Sequence, residues 1–491
     1  MRVGIYHDPE VAYPMEAPYS PGERYLEYIL DNISARENSA YRLVRNALAE
    51  LGLDRENFGN SRWNPFKDIV STGDTVVIKP NFVLSDHYEG GELFSIITHP
   101  SVIRAVVDYV YLALDGKGRI IVADTPQMDC NFNELLERTK LESIRDLYKR
   151  ERGFDLEIYD LRYFWLDAKK GWDSRNRHKL PGDPQGDVVV DLGKESLFYG
   201  VANYDQFYGA DFNRDETIKL HHGEVQRYVM SKTILSADVV ISVPKLKTHK
   251  KVGVTLNVKG LVGTVVNKNS LVHYTLGLPS EGGDQFPDEL LTSREKSIVR
   301  LQRWAYDKLL SRKNVVSDAF YRAGAATARF FLKPLGFIVD RNKQILDAGN
   351  WYGNDSAWRM AVDLYRILLY ADNGGQLCRE PVRKMFSVVD GIIGGEYNGP
   401  LTPWAKHSGT VIVGSNLGAV DVSSARLMGF DLSKIKMLKY LMDNPDVFGF
   451  DLREIEVLGN MECTNMLSPS DRNRYLEFEP HPGWKGQVEF R

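Results

Sequence analysis

The chain has 491 residues, 43% of them hydrophobic and 26% charged, with a formal net charge of −4. This is the profile of an ordinary soluble globular protein with room for about three domain-sized units, and its slight acidity argues against a general nucleic-acid binder. No apolar run approaches the ~18 residues of a membrane span and the first residues carry no signal pattern, so a cytoplasmic protein without a transmembrane segment is expected.

In chain order, Ser34-Ala-Arg-Glu37 reads as a capping box opening a helix that runs through Leu51, with Leu43, Ala47, Leu48 and Leu51 on a helical period and Gly52 as its stop. Gly73 to Val83 is a strand ending in Lys79 and Asn81, Thr98-His-Pro100 opens a helix, and Gly118 to Pro126 is a strand ending in Asp124 and Thr125. From about Tyr163 to Met230 the text is aromatic and polar with weak periodicity, the mark of an excursion that covers the sheet. Cys130, Cys378 and Cys463 lie far apart with no C-x-x-C pair. Neither a disulfide framework nor a cysteine-ligated zinc or iron–sulfur cluster is encoded, and each thiol reads as a buried hydrophobe.

Val239 to Ser280 holds six lysines (Lys245, Lys247, Lys250, Lys251, Lys259, Lys268), the two histidines His249 and His273, and no acid. It opens as a β-branched apolar run closed by Pro244, a buried parallel strand, so its lysines begin where that strand ends. Ligands of open α/β sheets sit outside the carboxyl ends of the strands. Lysines interleaved with Val, Leu and Gly rather than with Glu or Asp would repel one another and resist desolvation, so they call for an anionic partner, from a ligand or from elsewhere in the chain. Val252 to Gly263 is too glycine-rich for a good helix and too apolar for a solvated loop, which implies backbone packed close to a guest.

Beyond it, Lys296 to Ser311 and Ser317 to Phe331 carry apolar stripes separated by Arg and Lys, and Asn350 to Arg359 is an aromatic and polar knot before the helical Met360 to Tyr370. The basic helices are a surface on which a partner could dock. Phe386 to Pro400 reads as a strand giving way to turns that carry Asp390, Glu396 and Asn398, and Gly409 to Asp421 as a strand entering a helix with Asn416 and Asp421 at the junction. The alternation predicts an α/β fold with a doubly wound, mostly parallel sheet. The core would comprise residues 1–275 with 386–465, the covering excursion 163–230, a helical insertion 281–385 and an irregular tail 466–491.

If the five candidate strands run parallel, their ends converge on one edge. Lys79, Asn81, Lys245, Lys247, Lys259, Lys268, Asn398 and Asn416 would bind an anionic small molecule, His249, Asp390 and Glu396 would move protons, and Asp124 and Asp421 would hold a divalent metal. The leading expectation is an enzyme acting on a phosphorylated or carboxylated small molecule. Lys259, between short apolar runs, should have a depressed pKa unless an anion lies close, and its expected role is binding in the charged form.

Ile78-Lys-Pro-Asn81, Thr98-His-Pro100, Ala237 to His249, Val258 to Gly263, Asp390-Gly-Ile392, Glu396-Tyr-Asn-Gly-Pro400 and Gly418-Ala-Val-Asp421 together resemble the domain of unknown function 362 family. The motifs occur in the family's order over roughly Gly73 to Leu458. Some members carry ferredoxin-type cysteine clusters, which this sequence does not. A second resemblance is to nickel-pincer, lactate-racemase-type enzymes, through His249, Lys259 ten residues on and His273 fourteen later. It implies a metal–nucleotide cofactor anchored on Lys259, a metal ligand at His273 and His99 as a second base, in a racemase or epimerase. The Gly-Gly-Arg-Lys of those enzymes is replaced here by Asn257-Val-Lys-Gly260. A non-catalytic binding or scaffold protein, using the basic helices, is the remaining class.

Overall fold

The computed structural model describes residues 1–171, 176–211, 213–305 and 341–490. A ten-stranded sheet forms the centre. Its strands are β1 (Arg2–His7), β2 (Thr75–Pro80), β3 (Arg119–Asp124), β4 (Leu156–Asp160), β5 (Val239–Val243), β6 (Lys245–His249), β7 (Gly253–Val254), β8 (Lys384–Glu396), β9 (Trp404–Gly414) and β10 (Glu456–Gly459). The order across the sheet is β10-β1-β9-β8-β5-β2-β3-β4, with β6 paired to β8 and β7. The ladders joining β8, β5, β2, β3 and β4 are all parallel, whereas β9 runs antiparallel to both β8 and β1. This is a mostly parallel α/β sheet.

Val76 and Ile78 face one apolar layer and Val77 the other, which is why the strands read as unbroken apolar runs. Helices α1 (Ser39–Glu50) and α2 (Pro100–Leu114) pack on the first face. Helices α5 (Ala357–Tyr370) and α6 (Leu417–Leu427) pack on the second, with the short α3 (Leu256–Gly260) beside them and α4 (Ser293–Ala305) in a separate small cluster. Pro100 occupies the first turn of α2 and the His99 side chain caps it by accepting from Ser101 N.

Five local expectations need correction. Helix α1 begins at Ser39, because Asn38 accepts from Tyr41 N and so supplies the cap, while Ser34 is spent on a turn with Arg36 N. Lys245 to His249 is a strand, started afresh after Pro244 by pairing with β8, and β8 itself continues through Asp390 to Glu396 before a hairpin into β9. Val252 to Gly263 contains a helix after all, capped from outside by the Asp421 carboxylate. Cys378 is exposed, unlike buried Cys130 and Cys463.

The Asn350 to Arg359 knot caps α5, with Asn354 Oδ1 accepting from Ser356 N and Ala357 N. The helix expected at Ser317 to Phe331, and the end of the one expected at Lys296 to Ser311, fall outside the described residues. The tail lacks regular structure but sends Phe478, His481 and Trp484 into the interior. Among the described residues no helix is long and apolar enough to cross a membrane.

Candidate functional site

Strands β2, β3 and β6 end at a cavity of about 380 Å³, within the size range of small-molecule sites. Asn81, Asp124 and His249 come from those strand ends; Lys250, Lys251, Lys259, Lys268 and His273 come from the acid-free stretch; Tyr208 comes from the excursion and stacks on Tyr274. Asp124 is the single carboxylate in this wall among the described residues. Its charge is already met by Lys79 at 3.1 Å, and its oxygens also accept from Phe82 N and Thr125 N.

Gly263 lies against this ion pair, where an added Cβ would stand 1.9 Å from Asp124 Oδ1 and 2.6 Å from Lys79 Nζ. At Gly263 the close approach is therefore to the chain's own ion pair, while Gly260 of the same segment lines the cavity with open space where a Cβ would stand.

The cavity lysines divide by partner. Lys268 Nζ donates to Thr125 O, Thr125 Oγ1 and Val262 O, and Lys251 Nζ to Ala348 O. Lys259 is only 3% exposed, and among the described residues neither its ammonium nor that of Lys250 has a hydrogen-bond or ion-pair partner. Burial alone pushes Lys259 down to about 7; Lys251 and Lys268 are also pushed to about 7, chiefly by burial. Asn81 Nδ2, buried in the same wall, is likewise an unsatisfied donor.

Helix α3 presents Lys259, and its entry is strained: Leu256 has φ 47°, a left-handed conformation that a leucine adopts only when its surroundings impose it. Asp421 imposes it here, accepting from Asn257 N, Asn257 Nδ2 and Val258 N at 2.8 Å each, while Ser387 Oγ holds Asn257 Oδ1 at 2.9 Å.

Several expected site residues lie elsewhere. Lys245 and Asp390 form a fully buried pair at 2.8 Å, joined by Tyr13 Oη and by His99 N, away from the cavity wall. Lys247 is buried behind the wall, with Nζ donating to Ile96 O at 2.6 Å. Glu396 pairs with Lys406 and accepts from Glu479 N, and Asn398 donates to Thr402 Oγ1. Asn416 caps α6, and Asp421 caps α3.

For Asn416 and Asp421 the reason is strand direction. Because β9 is antiparallel, its last residue Gly414 pairs with Ser387 near the start of β8, so the residues following it emerge at the opposite edge of the sheet. The metal set fails for a related reason. The Asp124 and Asp421 carboxylates are both committed within the chain, and among the described residues no group of three or more His, Cys, Asp or Glu could hold a metal ion.

Lys250, Lys251, Tyr208 and Tyr274 were not singled out as site residues. The first two had a signal, in that they follow His249 directly at a strand end; the tyrosines had none, since their stacking joins segments far apart in sequence. The tail residue Trp484 also had none, although its Nε1 donates to Lys250 O at 2.7 Å and supports that loop.

Fold and cavity together define an α/β protein with a basic cavity beyond the carboxyl ends of parallel strands. The family model described as Domain of unknown function (DUF362) matches residues 76–161 and 187–426, well over half of the chain, and the protein belongs to that family. No curated protein and no solved structure matches the chain.

Proposed function

We propose that the cavity binds a phosphorylated or carboxylated small molecule, as the substrate site of an enzyme. The observation that carries this reading is the pair of ammonium groups, Lys250 and Lys259, that have no partner among the described residues, in a wall whose one carboxylate among those residues is already neutralised by Lys79. Buried charge without a partner is costly, and an anion relieves that cost while restoring the lysines' protonated form. Asn81 Nδ2 adds a neutral donor, and Tyr208 and Tyr274 offer apolar surface to the rest of the molecule.

Calorimetric titration with sulfate tests the reading. Saturable binding that weakens at least about tenfold in Lys259→Met, a loss of about 1.4 kcal/mol, supports it; absence of binding to sulfate and to inorganic phosphate at low ionic strength removes it.

A second reading, the racemase-like enzyme with a cofactor anchored on Lys259, is favoured by one observation: a lysine pushed down to about 7 is a competent nucleophile near neutrality. Intact-mass measurement on protein from its own host separates the two, since a covalent adduct mapped to Lys259 supports the second and an unmodified Lys259 the first.

A further inference from the structure

Two histidines share this cavity, and the hydrogen bond at Nδ1 of each decides what the other ring nitrogen can do. His249 Nδ1 receives the backbone N–H of Lys251 at 3.0 Å, so it must be the bare nitrogen, and a neutral ring then carries its proton on Nε2. His273 Nδ1 lies 3.2 Å from the Leu271 carbonyl oxygen, which can only accept. That ring must hold its proton on Nδ1 and present a lone pair at Nε2. Both rings form part of the cavity wall, and among the described residues neither Nε2 has a protein partner.

We infer that His249 and His273 are an acid–base pair of opposite, pre-set tautomers, His249 Nε2–H the donor and His273 Nε2 the base, acting on an anionic substrate that carries a carbonyl group. The inference rests on the anion reading above for its substrate class, but the assignment of roles does not. Both rings are held neutral, since burial first and the neighbouring Lys259 charge second push their pKa values well below the ordinary range. A neutral ring can keep one fixed tautomer, whereas an imidazolium donates from both nitrogens and would erase the distinction.

The chemistry this pair supports is enolisation. His273 Nε2 takes the proton from the carbon next to the carbonyl; the C–H electron pair becomes the new C=C bond as the carbonyl pair moves on to oxygen. His249 Nε2–H donates a hydrogen bond to that oxygen while its negative charge develops, and the cavity lysines offset the charge. Where the deprotonated carbon also carries a hydroxyl, the hydroxyl proton shifts to the former carbonyl oxygen, the carbonyl re-forms at the hydroxyl-bearing carbon, and His273 returns its proton to the former carbonyl carbon. No oxidant, reductant or leaving group is required, so the reaction class is isomerisation of a hydroxycarbonyl compound bearing a phosphate or carboxylate.

The roles are read directly by long-range ¹H–¹⁵N correlation of the histidine rings in ¹⁵N-labelled full-length protein near neutral pH, assigned with His249→Gln and His273→Gln. The expected spectrum has His249 protonated on Nε2 and His273 on Nδ1. A proton on Nε2 of His273, or either ring doubly protonated, overturns the pair. Sulfate titration of the same sample reports separately on the anion reading: bound sulfate with the wrong tautomers leaves the anion site standing, and the right tautomers without bound sulfate leave the pair but not its substrate class.

Catalysis is then tested in deuterium oxide with 2-oxo carboxylates and hydroxycarbonyl phosphates shown by calorimetry to bind. Exchange of carbon-bound hydrogen that falls by about 10²–10⁴-fold in His273→Gln, with sulfate affinity changed far less, is the expected result. Binding without any exchange across the panel overturns the catalytic assignment.

Discussion

Lys245 and Lys259 belong to the same acid-free stretch and both are buried, yet their surroundings differ in kind. Lys245 is met by a carboxylate, a phenol and a carbonyl: Asp390 at 2.8 Å, Tyr13 Oη at 2.8 Å and Ile393 O at 3.1 Å. Lys259 has open cavity in front of it and no protein partner among the described residues. A fully satisfied buried charge ties strands together, whereas an unsatisfied one beside empty space is poised for a ligand. Within one run of like residues, partner geometry separates the lysine paired inside the fold from the one that the proposed site leaves to a ligand.

That contrast is broken most forcefully at Asp390. Asp390→Asn leaves Lys245 buried without its counter-charge, and chemical denaturation should register a loss of about 3–5 kcal/mol. A wild-type unfolding curve would mean that the pair holds nothing in place. Gly263→Ala attacks the other buried pair by driving a methyl into Asp124 and Lys79, and overpacking of this kind should cost about 1–3 kcal/mol in the same measurement.

Lys259→Met should behave in the opposite sense, leaving stability unchanged or raised while sulfate affinity falls at least about tenfold. Equal stability losses at Lys245 and Lys259 would erase the proposed difference.

The pH dependence sharpens it further. In the empty protein Lys259 is pushed down to about 7 from its ordinary 10.5, so between those values the unfolded chain binds more protons and this residue's contribution makes stability rise with pH. Below about 7 both states are protonated and that slope disappears. Sulfate, whose own charge is constant here, selects the protonated form, so its affinity should fall as the pH is raised from about 6 to about 9, with proton uptake on binding visible in buffers of different ionisation enthalpy. Lys259→Met should flatten part of both trends.

The smallest effect belongs to Glu396, expected as a proton-transfer residue but placed in a partly exposed pair with Lys406. Glu396→Gln should cost about 1 kcal/mol or less by thermal melting and leave sulfate binding intact.

The elements that sequence reading located best are those with strong local signals. Proline in the first turn of α2, the β-branched runs of β2, β3 and β5, and the apolar period of α5 each follow from interactions within a few residues. Helix α3 was missed because its cap is the Asp421 carboxylate, contributed from more than 160 residues away. Lys79, Lys245 and Lys247 were assigned to a ligand because composition counts charges but does not report what lies 3 Å from each one.

By itself, then, the amino-acid sequence determined an α/β chain with a mostly parallel sheet, membership of one family, and a basic stretch starting at a strand end. It did so because period, turn chemistry and motif order are local and survive in one dimension. Only the tertiary structure decided which strand ends share an edge. The reversal of β9 sends Asn416 to the far side, and folding brings Asp390 to Lys245 and Asp124 to Lys79. Electrostatic pairing depends on distance through space, falling off within a few ångströms of contact, and that is the quantity a linear sequence does not carry.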